Sequence, residues 1–123
     1  TDIVNIKRME KSLKNNNKKL INKIFSKKEI KYCKKKPNKY SYYAKRFAAK
    51  EAFSKALGTG IRKGIAFKDI EVFNDTLGKP FIKLKGKSLI FLYKKIKTKK
   101  YEIYLSLSDD DPWAQATVII SYN

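Results

Sequence analysis

Residues 46–60, RFAAKEAFSKALGTG, place one carboxylate, Glu51, among three cations, Arg46, Lys50 and Lys55. Wound as a helix at about 100° per residue, Ala48, Ala49, Ala52, Phe53, Ala56 and Leu57 fall on one broad half, the expected core face. Arg46 and Lys50 then share one shoulder of that stripe, and Glu51 and Lys55 share the other, each pair one turn apart. Phe47 lies between the shoulders, on the face that should be wet. Two readings compete. Pairs at this spacing are ordinary surface features that stabilise a helix by about 0.2–0.5 kcal/mol. A lone carboxylate hemmed by cations, beside an outward aromatic ring, also suits an anionic ligand bridged to Glu51 through a metal. The next residues, GTGIRKG, add glycines, a hydroxyl, Arg62 and Lys63. They fit a phosphate cradle or a simple helix cap and turn, and they lack the Walker pattern.

Other chemistries are excluded by composition. There is no histidine, which removes the usual neutral-pH base and the commonest metal ligand. Cys33 is the only cysteine, so neither an intrachain disulfide nor a cysteine-rich zinc site can form. A reducing, cytoplasmic setting fits that usage. Any metal would be a hard cation held by carboxylates and water.

The net charge of +19 comes from 30 basic and 11 acidic residues, and almost all of the basic ones are lysine. It reads first as compositional drift that fills exposed positions with lysine, then as a match to an acidic protein partner, and last as nucleic-acid binding. Arg8, Arg46 and Arg62 are the only arginines, and a rigid guanidinium fork is what phosphates and carboxylates prefer. No apolar run approaches the ~20 residues of a membrane span, and no secretory leader is visible. Neither a membrane nor a nucleic acid is therefore an expected partner.

The 123 residues suit one domain spanning 1–123, and the start at Thr1 inside an apolar stretch suggests that a few residues precede it. Residues 2–6, DIVNI, read as a strand, and 9–24 as a helix interrupted by KNNNKK. Ser26 with Glu29 forms a capping box for a short helix ending near Lys36, because Pro37 disfavours helix before it. The next helix starts near Asn38 or Ser41 and ends at Gly58, a natural residue for a left-handed cap. After Gly64 the period changes: DIEVF (69–73) and PFIKL (80–84) alternate around NDTLGK as a hairpin. A short amphipathic helix, 87–97, precedes two more alternating strands, 101–108 and 113–122, joined by DDDP. Helices followed by hairpin, helix and hairpin predict an α+β fold with an antiparallel sheet.

TDIVNI, FSKKE, RFAAKEAFSKALGTG, DIEV, LGKPFIKL and LSLSDD, in this order over nearly the whole chain, closely resemble the holo-acyl-carrier-protein synthases of the 4′-phosphopantetheinyl transferase superfamily. The resemblance implies transfer of phosphopantetheine from coenzyme A, as substrate, to a serine of an acidic apo acyl carrier protein, releasing adenosine 3′,5′-bisphosphate. It implies Asp2 and Glu51 as ligands of Mg²⁺, with Mn²⁺ as a substitute, and Lys55 reaching toward the pyrophosphate. It matches Arg46, Lys50, Gly58, Thr59 and Gly60 to positions lining the coenzyme A cleft. It also implies the family's fold and a homotrimer with active sites at subunit interfaces, which would cover Phe47. The catalytic pair is then Glu51 and Lys55, with a water oriented by Glu51 as the expected base. Asp109 stands where many members have histidine, although some have aspartate, which leaves its ligand contact open. Trp113 replaces a usual tyrosine and is expected to pack. Arg8, with Lys11, Lys14 and Lys18, leads away from Asp2 and is expected to dock the acidic carrier. The rival reading is a small basic RNA-binding protein, with aromatic and basic residues interleaved on a strand; FIKLKGK offers this only faintly.

Overall fold

The computed structural model describes residues 1–16, 18–61 and 65–123. Strand β1 (Asp2–Asn5) runs directly into helix α1 (Ile6–Asn15), because the Asn5 side chain caps it by accepting the Arg8 N–H at 2.9 Å. The expected long helix is two: α1 stops in the Asn-rich run, and α2 (Lys19–Ile24) starts afresh after Lys18 in a left-handed conformation. Helix α3 (Lys27–Lys34) carries the Ser26–Glu29 capping box. Helix α4 (Lys39–Leu57) ends on Gly58 at φ 85°, which a side chain would strain. A single 3₁₀ turn, Phe67–Asp69, leads into strand β2 (Ile70–Asn74), which pairs with β3 (Pro80–Leu84). Helix α5 (Gly86–Ile96) precedes strands β4 (Tyr101–Asp110) and β5 (Trp113–Tyr122).

The strands form two antiparallel sheets rather than one. β1, β5 and β4 make a three-stranded sheet, and β2 and β3 a separate hairpin. Helix α4 lies between them and packs on both. One set of buried side chains joins Ala48, Ala49, Ala52 and Phe53 of α4 to Val72 and Ile82 of the hairpin and to Ala116 and Val118 of β5. A second gathers Tyr43 and Ala44 of α4 with Leu13, Phe25 and Cys33. Burying a ring such as Phe53 contributes about 1.5–3 kcal/mol. The alanines let strand and helix backbones approach closely.

Packing on two sides overturns the single-stripe reading of α4. Arg46 and Lys50 are 1% and 0% exposed, whereas Ala56, assigned to the core, is exposed. Phe47 is half-buried rather than wet, its ring 5.5 Å from that of Phe67. Trp113 departs in the other direction: it stays 47% exposed instead of packing.

Candidate active site

Strand alternation aims Asp2. In β1 it lies opposite Ala116, a buried residue of β5 beneath α4, so Asp2 and Val4 face the helix while Ile3 faces away. Asp2 Oδ1 there accepts from Lys55 Nζ at 2.7 Å, and the same ammonium donates to the Thr1 carbonyl at 3.3 Å. Glu51, one turn before Lys55, opens beside Asp2 into a cleft of about 520 Å³. Its walls include Val4 and Asn5 of β1, Arg8 and Ser12 of α1, Lys23 of α2, and Phe47 and Phe67.

The electrostatics of the two carboxylates differ. Burial, then the neighbouring Asp2 charge, push the Glu51 carboxyl above its ordinary value, and Lys55 opposes them only in part. The Glu51 carbonyl accepts from the Ser54 hydroxyl at 2.8 Å, but among the described residues its carboxylate has no ion pair or hydrogen bond, and Lys55 is committed to Asp2. The site thus holds two hard oxygen donors facing one cleft, with a cation already against one of them. No group of three or more ligating side chains occurs among the described residues. Two carboxylates are what a Mg²⁺ ion shared with substrate phosphates takes, so the donor set fits that ion.

Arg8 is the one docking candidate that reaches this cleft. Lys14 pairs with Glu10 at 2.7 Å, and with Lys18 it borders a different hollow beside Tyr40. Lys11 lies with Lys7 and Glu10 on the outer side of α1. The break after Asn15 and the turn of α1 disperse these lysines, so the four residues do not form one face around Asp2 and Glu51.

Lys50 is corrected outright as a residue of a coenzyme A cleft. Its ammonium donates to Glu29 Oε1 at 2.8 Å and to the carbonyls of Phe67 and Ile70 at 2.8 and 2.7 Å. An ammonium has three donors, so none is left for a phosphate. Burial pulls its pKa down, with Glu29 opposing. Arg46 is likewise interior, its guanidinium bonded to the Asn74 side chain and 4.3 Å above the Tyr32 ring. The main-chain N–H groups of Gly58, Thr59 and Gly60 turn to the chain itself. All three N–H groups donate to the Ser54 carbonyl, at 3.1, 3.2 and 3.2 Å, closing the carbonyl end of α4. Arg62, Lys63 and Gly64 lie outside the described residues.

Asp109 ties β4 to α4. It pairs with Lys45 at 2.9 Å and accepts from the Ser41 hydroxyl at 3.0 Å. The Lys45 hydrogen bond is the main reason that its carboxyl is held below its usual value, with Ser41 assisting against a smaller opposing effect of burial. Of DDDP, Asp109 and Asp110 extend β4 and pair with β5, so the turn between the strands is Asp111–Pro112 alone, shorter than the four residues expected. Sequence reasoning missed Ser12, Lys23 and Phe67 in the cleft wall. Ser12 stands one turn after Arg8 and was legible by that spacing; Lys23 and Phe67 come from other elements and carried no signal.

Residues 1–117 match the family model of the 4′-phosphopantetheinyl transferase superfamily. The holo-[acyl-carrier-protein] synthase of Pelagibacter ubique is 49% identical over 119 residues, covering 97% of this chain and 91% of that protein. The crystal structure of the Neisseria meningitidis synthase superposes with a TM-score of 0.86 at 33% identity, over 98% of this chain and 94% of that one. The Helicobacter pylori synthase, solved in complex with coenzyme A, gives 0.83 at 35% identity, over 98% and 96%. A family model matched over residues 1–117, relatives of this identity along nearly the whole chain, and the same fold lead to one conclusion: the chain belongs to the 4′-phosphopantetheinyl transferase superfamily, among its holo-[acyl-carrier-protein] synthases.

Proposed function

We propose that this protein transfers the 4′-phosphopantetheine group of coenzyme A to a serine of an apo acyl carrier protein, releasing adenosine 3′,5′-bisphosphate. The observation that carries this reading is the meeting of Asp2 and Glu51 at one cleft, with Lys55 paired to Asp2 beside it. In the reaction the serine oxygen forms a bond to the phosphorus bearing pantetheine, and the pyrophosphate P–O bond breaks. Such transfers need alignment and charge neutralisation more than covalent help.

Asp2 and Glu51 would hold Mg²⁺, which supplies charge neutralisation at the pyrophosphate. Lys55 is half-exposed and, among the described residues, anchored at Asp2 and the Thr1 carbonyl, which leaves it room to turn toward the phosphates. Glu51, at the cleft wall, orients the water that takes the serine proton. This chemistry needs no histidine. Arg8, fixed at the first turn of α1, meets the acidic carrier at the cleft rim.

The assembly proposed is a homotrimer with active sites at subunit interfaces. Ile3, Tyr104, Trp113 and Ile119 are exposed on the face of the three-stranded sheet turned away from α4. Polar Ser106, Ser108, Gln115 and Thr117 share that face, and large exposed apolar side chains among polar neighbours suit a subunit interface. Light scattering should give about three times the 14.3 kDa chain mass; a single-chain mass at assay concentration would overturn this assembly. The activity itself is tested by mass spectrometry of apo carrier protein incubated with coenzyme A and Mg²⁺. A gain of one phosphopantetheine is expected, and an unmodified carrier would refute the reading.

A further inference from the structure

We propose that Lys50 is a positioning residue of the transfer reaction, fixing the Phe67 wall of the Asp2–Glu51 cleft through the main-chain carbonyls of Phe67 and Ile70. The inference rests on the reading of that cleft as the transferase site. If Lys50 served only to neutralise buried Glu29, one contact would suffice. Instead two of its three donors go to carbonyls at either end of the 3₁₀ turn, at 2.8 and 2.7 Å.

Glu29 completes the clasp from the other side. Its Oε1 also accepts the Ser26 N–H at 2.9 Å, and its Oε2 accepts the Val72 N–H at 3.0 Å. The start of α3, the middle of α4, the 3₁₀ turn and β2 are therefore tied at one buried point. That turn has no side-chain cap, and its few other main-chain bonds are ordinary ones, such as Asp69 N–H to the Ala66 carbonyl at 3.1 Å.

What the clasp holds is functional surface. The Phe67 ring packs on Phe47, and both line the cleft with Glu51 and Arg8. Phe47 and Glu51 are one helical turn apart, and Lys50 precedes Glu51 in the chain. One helix thus presents the carboxylate to the cleft and, from the adjacent residue, reaches through the core to set the opposite side chain. Misplacement of a wall by a distant change is known to cost as much as hundredfold in rate, so a smaller but clear effect follows from loosening this one.

The test uses the intact chain. Lys50→Gln combined with Glu29→Gln removes both charges at similar volume, and Phe67→Ala removes the ring itself. With coenzyme A saturating and the carrier varied, each should lower kcat/KM about tenfold, and their combination should go no lower, since both act on one wall. Hydrogen exchange at amides 67–72 should quicken in the Lys50/Glu29 variant and stay slow in Phe67→Ala. Multiplying rate losses, wild-type kcat/KM in either variant, or unchanged exchange would overturn the positioning role. Phe67 is only half-buried, so Phe67→Ala decides the matter even if the buried variant does not fold. A wild-type enzyme without transferase activity would instead overturn the proposed function and leave the exchange result to judge the clasp.

Discussion

Lys50 and Glu51 are neighbours in the chain with opposite fates. Lys50 is fully buried, and each of its donors has an acceptor within 2.8 Å. Glu51 is half-buried, beside a second carboxylate, with the nearest ammonium bonded elsewhere. The difference separates two uses of charge. A charge whose partners are complete fixes structure, because moving any member leaves a buried group unsatisfied. A charge left incomplete at a cleft is available to a substrate, an ion or a proton. Elsewhere on α4 the division is less complete: Arg46 is interior and bonded to Asn74, but its buried Nε has no hydrogen-bond partner among the described residues, while Lys55 is half-exposed and paired with Asp2.

The comparison can be broken first at its structural side, where the largest effect is expected. Lys50→Met alone should destabilise the fold by about 3–5 kcal/mol, because it strands the Glu29 carboxylate in the core. Thermal unfolding checks this, and a melting point within a degree or two of wild type would show that the clasp contributes little.

The catalytic side comes next. Glu51→Gln should reduce kcat/KM by about a hundredfold, the scale of lost transition-state electrostatics, with unfolding nearly unchanged. Near-normal turnover at saturating Mg²⁺ would remove Glu51 from the chemistry. The pH dependence sharpens the same point. Glu51 has a raised folded pKa, so it binds its proton more tightly in the native state and deprotonates later. In the metal-free protein the Glu51 carboxyl should therefore titrate above 4.5, the ordinary glutamate value, with a carboxyl NMR signal that is missing in Glu51→Gln. A titration at the ordinary value would mean that burial does not desolvate this group.

A third comparison sets Arg8 against the lysines that the fold turns away. Arg8→Glu should raise the carrier KM about tenfold at low salt and leave the coenzyme A KM within error. Lys14→Glu, in a different hollow, should do much less. Equal effects would mean that bulk charge rather than place docks the carrier.

The smallest effect belongs to Asp109. Its carboxyl is held below the usual range by Lys45, so its contribution is present at neutral pH and is lost as pH falls through that lowered value. The pair is partly exposed and solvent-screened, so Asp109→Asn should cost about 0.2–1 kcal/mol. The difference between variant and wild type should vanish in acid, and a constant difference across pH would assign the loss to the Ser41 hydrogen bond instead.

Much of this molecule is legible in its sequence because the signals are local. Ser26 and Glu29 announce their own cap, Gly58 its own left-handed end, and alternation in 101–108 and 113–122 its own hairpin. Motif order also points to Asp2, Glu51 and Lys55, which the fold brings together from opposite ends of a separation of 53 residues between Lys55 and Asp2. The failures have one physical origin. A helical wheel assumes that a helix has one buried side, and α4 is packed from both by two sheets that the sequence read as one. Whether a lysine is solvated or saturated depends on which carbonyls arrive beside it, and those of Phe67 and Ile70 come from elements 17 and 20 residues away. Residue types, spacing and motif order therefore determined most of the elements and put Asp2, Glu51 and Lys55 forward as candidates. Only the tertiary packing decided which charges were left unfinished, because burial and the completion of hydrogen bonds are properties of neighbours in space.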